Sequence, residues 1–240
     1  MKTTQLQRRP MNSKSELILC LETATTNCSV ALSLDGKAIH VQEDYDVKFS
    51  HAERLHTYIE SVLASAKAKK EDLKAIAVSK GPGSYTGLRI GVSAAKGLAY
   101  ALDLPLISIP TLASLAAQVD VQANECIIPM LDARRMEVYA SVFTADGSPL
   151  RETEAQILDE TSFSEYLGKG KVHFIGNGVG KFKDICTHPN AVFIEGRLPS
   201  AKEMCAMASK KFAESQFEDI AYFEPYYLKD FIAGKPKKAF

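Results

Sequence analysis

An apolar run that ends in an acid, then a strand pattern, then an Asp-Gly turn: this sequence of features occurs twice in the chain. In the first half, residues 17–21 are continuously apolar and lead to Glu22; residues 28–34 read as a second strand, and Asp35-Gly36 is a hairpin signal that pairs residues 37–41 back antiparallel. In the second half, residues 126–131 lead to Asp132, residues 137–144 read as a strand, and Asp146-Gly147 signals another hairpin. The two acids lie 110 positions apart and the two turns 111. A third correspondence joins the strand at 75–79, running into Gly81-Pro82-Gly83, with the strand at 171–175, running into a second glycine loop at 176–180. Its offset is about 95, so the repeat is approximate. Strands linked as hairpins and followed by strand–helix units predict a duplicated α/β fold of two lobes.

The helices follow from apolar spacing. Residues 50–67 place Ala52, Leu55, Ile59, Val62, Leu63 and Ala66 on one face, with Ser50 as a cap and Glu53 three residues on. Residues 86–102 predict a second helix, rich in small residues, and residues 106–109 a short strand. The domain reading is a polar extension at 1–15 (with Met11 an alternative start), lobes at 16–108 and 109–199, a helix at 200–216 packing back on a lobe, and a partly loose tail at 217–240 with a basic end at Lys235, Lys237 and Lys238.

Composition narrows function by exclusion. Lysine plus arginine balances aspartate plus glutamate at 29 each, so no global basic field attracts nucleic acid. The five cysteines are scattered without a CxxC pair, which fits reduced thiols and a cytoplasmic location. No apolar run is long enough to span a membrane.

The most distinctive segment is GPGSYTGLRIG, residues 81–91. It enters a helix from a strand, where backbone N–H groups hold anions. It is neither a Walker A loop, because Leu88 stands in place of the lysine, nor GxGxxG, because Thr86 takes the third glycine position. Gly81, Gly83, Ser84, Thr86 and Gly87 therefore make either an anion loop or a tight turn with close helix packing. Glu22 and Asp132 admit two readings as well: acids facing one another across a cleft, or turn acids bonded to local backbone. The second glycine loop is either a nucleotide contact or a plain strand–helix connection. The histidines show no HxxxH or HExxH spacing, and no metal centre is expected from them.

Five segments together carry a resemblance: LETATTNCSVAL, SHAERLHTYIESVL, GPGSYTGLRIG, IPTLASLA and LDARRMEVY. The chain resembles the bacterial threonylcarbamoyladenosine biosynthesis family TsaB, also called YeaZ. The resemblance implies two actin-like or Hsp70-like lobes of the sugar-kinase ATPase (ribonuclease H-like) type. It also implies a non-catalytic subunit that works with a catalytic paralogue, TsaD, and an ATPase, TsaE, on the adenosine beside the anticodon of tRNAs. The HxxxH metal ligands of the catalytic paralogue align with Thr111 and Leu115, so no catalytic metal and no cofactor of its own is expected, and weak nucleotide binding in the cleft stays open. Where the family usually has aspartate, this chain has Glu22. The resemblance further implies that two helices of the first lobe form the interface, in a homodimer and with the paralogue. Carried onto this sequence, that interface falls on Leu55, Ile59, Leu63, Leu88, Val92, Ala95 and Ala99. Two other readings remain at this stage: a metal-dependent peptidase-like or ATP-dependent kinase-like enzyme, and an independent homodimeric interaction protein.

Overall fold

The computed structural model describes residues 15–44 and 51–229. The expected cap Ser50, most of the polar extension and the basic chain end fall outside the described residues. Two five-stranded sheets form the framework, with strand orders β3-β2-β1-β4-β5 and β10-β9-β6-β7-β8. In the first, β1 (Leu17–Glu22), β2 (Cys28–Leu34) and β3 (Lys37–Asp44) are antiparallel, and β4 (Ala75–Gly81) and β5 (Leu106–Pro110) run parallel to β1. The second repeats the plan with β6 (Cys126–Asp132), β7 (Glu137–Thr144), β8 (Pro149–Ile157), β9 (Val172–Ile175) and β10 (Ala191–Ile194). The duplication read from the acids and the turns is thus a duplication of topology.

Helices complete each unit: α1 (His51–Ala66), α2 (Tyr85–Leu102) and α3 (Thr111–Ala116), then α4 (Ser164–Leu167), α5 (Val179–Lys183) and α6 (Ala201–Ala213). The sequence reading lacks β10 and the short helices α3, α4 and α5, which have too few turns to show an apolar period.

The continuous apolar run of β1 is explained by burial on both faces. Leu17, Leu19 and Leu21 enter the core shared with α1 and α2, while Ile18 and Cys20 enter the core shared with α6. The α6 side is lined by small residues, Ala31, Ala75, Ala77, Ala201 and Ala208, which let the helix lie close to the sheet. The closing helices are exchanged between units. α6, from the second, covers the first sheet, and α3, from the first, packs Leu112 and Leu115 against Ile127, Leu131 and Ile175 of the second. Neither sheet is covered on both faces without the other unit's last helix.

The two Asp-Gly turns differ. Asp35 and Gly36 both have positive φ (51° and 78°), the geometry of a two-residue hairpin turn. At the second turn only Gly147 does (82°), and Asp146 instead accepts the backbone N–H of Ser148 at 3.0 Å. Part of the tail is described. Residues 217–229 are tied to the first lobe by backbone and side-chain hydrogen bonds, beginning with Glu218 N–H to the Leu106 carbonyl at 2.8 Å.

Candidate functional site: an inter-lobe cleft and a two-helix groove

A cleft of about 620 Å³ lies between the lobes. Thr25, Thr26 and the 82–86 loop line one side, Asp132, Arg134, Tyr139 and Asn177 the other, and Tyr226 to Lys229 of the tail close part of it. The two acids do not face each other there. Asp132 lines the cleft, its Oδ1 accepting the Arg134 N–H at 2.6 Å and the Lys181 ammonium at 2.9 Å. Glu22 is fully buried beneath the turn that joins β1 and β2. Its Oε1 accepts the Ala24 N–H at 2.6 Å and the Ser79 hydroxyl at 2.8 Å, and its Oε2 has no hydrogen-bond partner among the described residues. Glu22 as a cleft acid is therefore corrected: it braces a turn. Desolvation raises its pKa to about 7 against the opposing pull of the Ala24 and Ser79 hydrogen bonds.

The signature loop is closed by its own chain. Ser84 N–H donates to the Ala24 carbonyl at 2.6 Å, Gly87 N–H to the Ser84 hydroxyl at 3.2 Å, and Gly81 N–H to the Thr111 hydroxyl at 3.1 Å. Ser84 is thereby the N-cap of α2. Methyl groups added at Gly83 or Gly87 would lie 2.4 Å from the Ala24 oxygen and 2.1 Å from the Thr23 oxygen, and one at Gly91 would lie 2.2 Å from the Thr23 hydroxyl. Thr23 also donates that hydroxyl to the Gly87 carbonyl at 2.8 Å. Of the two readings, the geometry favours close helix packing: the space an anion would need is filled by the Thr23–Ala24 backbone. Thr86 is exposed and lines the cleft. The second glycine loop behaves alike, since a methyl at Gly176 would lie 2.2 Å from the Met130 oxygen and Asn177 Oδ1 accepts the Asp132 N–H at 3.0 Å.

The positions aligned with metal ligands are engaged structurally. The Thr111 hydroxyl accepts the Gly81 N–H, and Leu115 is fully buried in the core under the second sheet. That pair does not suit a transition metal, because one member carries no donor atom. Among the described residues no group of three or more His, Cys, Asp or Glu could hold a metal ion. His51 Nε2 donates to the Thr25 carbonyl at 2.7 Å, so this histidine ties the start of α1 to the same β1–β2 turn.

The seven residues assigned to the interface need a larger correction. Leu55, Ile59, Leu63, Leu88, Val92, Ala95 and Ala99 are all buried within this chain, six of them packed together under the first sheet. They are the inward stripes of α1 and α2, because the largest apolar side chains of a surface helix face its own sheet. What the helices present outward is a groove of about 600 Å³, lined by Ala52, His56, Arg89, Ile90, Ser93, Ala94, Gly97 and Leu98. The signal was there in part: Ile90, Ala94 and Leu98 recur at helical spacing, out of phase with Leu88, Val92, Ala95 and Ala99. A methyl at Gly97 would meet nothing within 4 Å, so this small residue leaves the groove open.

Residues 46–237 match the family described as "TsaD: tRNA N6-adenosine threonylcarbamoyltransferase". A relative from Escherichia coli (strain K12), the tRNA threonylcarbamoyladenosine biosynthesis protein TsaB, is 32% identical over 227 residues, covering 91% of this chain and 96% of that protein. The chain belongs to the TsaB family. The solved structure of YeaZ from Pseudomonas aeruginosa superposes with a TM-score of 0.77 at 28% identity, over 89% of this chain and all of that one. A tRNA N6-adenosine threonylcarbamoyltransferase from Staphylococcus epidermidis (strain ATCC 12228 / FDA PCI 1200) is 36% identical over 112 residues, 40% of this chain and 33% of that protein. The likeness to the transferase thus covers a third of that protein's length.

Two outcomes test this geometry. Gly87→Ala forces α2 away from the Thr23 oxygen and is expected to lower stability by about 1–3 kcal/mol, read by urea unfolding; an unchanged midpoint would contradict the packing role. The second concerns Glu22, whose folded pKa of about 7 stands above the ordinary 4.5. Between those values the unfolded chain has lost a proton that the folded chain keeps, so stability falls as pH rises through this window, by about 3 kcal/mol in all. Glu22→Gln, neutral throughout, is expected to flatten that fall when unfolding is compared at about pH 5 and about pH 8. Equal slopes for variant and parent would remove the account.

Proposed function

We propose that this chain is the non-catalytic partner subunit in the transfer of a threonylcarbamoyl group to the adenosine next to the anticodon of tRNAs. It works in the cytoplasm with the catalytic paralogue TsaD and the ATPase TsaE, and it pairs with itself when alone. Family membership supports the pathway. The observation that carries the partner role is the α1–α2 groove, an open two-helix face of small and apolar side chains flanked by His56 and Arg89. Apolar contacts with small residues between them suit a helix laid against the groove, with affinity concentrated in a few central side chains. The donor set at Thr111 and Leu115 and the self-filled signature loop favour this over a kinase-like or peptidase-like enzyme. Among the described residues no helix is long and apolar enough to cross a membrane.

The decisive experiment is reconstitution. TsaD and TsaE with this chain are expected to modify tRNA, and without it to fail; full modification in its absence would end the proposal. The interface prediction follows from the corrected face. Leu98→Glu and Ala94→Glu are expected to weaken association with the paralogue at least about tenfold while leaving the fold intact, because each sets an unpaired charge at an apolar contact. Ile59→Glu and Val92→Glu put that charge in the chain's own core and are expected to unfold it. Sedimentation velocity showing unchanged association for both groove variants would displace the interface from this groove.

A further inference from the structure

The segment after α6 is a strap that touches both lobes. It first adds a bridge at the free edge of the first sheet, pairing Glu218 with Leu106. Ile220 and Phe223 then pack on the core beneath α1 and α2. Lys96 of α2 donates to the carbonyls of Ala221 (3.2 Å) and Phe223 (3.0 Å). Tyr226 N–H donates to the Lys80 carbonyl at 2.7 Å, and its carbonyl oxygen lies where a side chain at Gly81 would begin, 2.6 Å from a methyl built there. Gly81, with φ of 112°, is therefore required both for the bend and for the strap's passage. The Tyr227 ring lies 5.0 Å from the Tyr85 ring, and Lys229 forms an ion pair with Glu137 on β7 of the second lobe.

Arg89 joins this strap to the groove. Its Nε donates to the Tyr227 hydroxyl at 3.2 Å, and its guanidinium sits 4.2 Å from the centre of the Tyr85 ring. Tyr85 and Tyr227 line the inter-lobe cleft, whereas Arg89 lines the α1–α2 groove. One side chain of the groove thus touches two residues of the cleft, and the segment it holds is anchored on the far lobe two residues later.

We propose that the strap is a linkage device: a protein helix seated in the groove engages Arg89, changes its hold on Tyr227, and through the Lys229–Glu137 pair sets how far the two lobes stand apart. This rests on the reading of the groove as a partner seat. By thermodynamic reciprocity, whatever fixes the strap in its partner-bound arrangement also strengthens the partner's binding. The second lobe then reports groove occupancy although the partner does not touch it.

Hydrogen–deuterium exchange on the full chain, alone and saturated with the catalytic paralogue, tests this. The expected result is altered exchange in α1 and α2 together with a change of about fivefold or more in residues 224–229 and in the β6–β7 loop that leads to Glu137. Tyr227→Phe removes only the hydroxyl that Arg89 engages. In that variant the α1 and α2 response is expected to persist while the strap and loop response shrinks. Tyr227→Ala, which also removes the ring, is expected to change partner binding about fivefold or more by the same linkage, and an unchanged affinity would overturn it. Altered exchange in α1 and α2 with an unchanged strap would overturn the linkage and leave the docking reading standing. No response in α1 and α2 under saturation would overturn the docking reading, and the linkage with it.

Discussion

The first turn of α2 lies almost in contact with the turn between β1 and β2, and much else is set by that approach. Gly83, Gly87 and Gly91 present bare backbone to Thr23 and Ala24, Ser84 N–H bonds across to the Ala24 carbonyl, and Thr23 bonds back to Gly87. A side chain at any of the three positions would drive the elements apart. The contact fixes the angle at which α2 leaves the sheet, hence where Ile90, Ala94 and Leu98 point, hence the groove. It also fixes Tyr85, Arg89 and Lys96, the three α2 side chains that hold the strap. A motif that reads as an anion loop is here a joint.

Holding that joint has an electrostatic cost. Glu22 supplies the acceptor for Ala24 N–H from inside the core, where its second oxygen is unpartnered among the described residues. The carboxyl therefore keeps its proton to about pH 7. A buried polar group left unsatisfied commonly costs a few kcal/mol, and the joint persists because packing around it is dense: Ile18, Leu19, Cys20 and Leu21 are all fully buried. The exchanged helices α3 and α6 add to this, since loosening either lobe uncovers a sheet face in the other.

How much of this was legible follows from which signals are local. The β1 run, the hairpin turn at Asp35-Gly36 and the α2 pattern each reflect neighbours in sequence, and each is found where it was read. Strand β10 was not legible, because four half-buried residues carry no alternation strong enough to see. Glu22 and Asp132 look equivalent by position, yet only the second reaches the cleft; their difference depends on what packs over the β1–β2 turn, which no local pattern encodes. The interface residues failed for a related reason. Hydrophobicity marks what is buried, and the sequence cannot say whether the burying surface belongs to the same chain. The largest side chains went to the chain's own sheet, and the outward face was left to Ala94, Gly97 and Leu98, whose modest size disguised them.

The same joint sets the geometry of the groove between α1 and α2. The groove keeps its shape only if both helices are held at one spacing and one tilt, since Ala52, Ser93, Ala94 and Gly97 along it have little side-chain length with which to adapt. The rigid body beneath supplies that spacing: α1 is tied to the β1–β2 turn by His51, and α2 is pressed onto the same turn by its glycines. Two helices referenced to a single turn keep their relative position even when the lobes move. The shape of the groove is thus set by the β1–β2 turn, independent of any chemistry in the cleft.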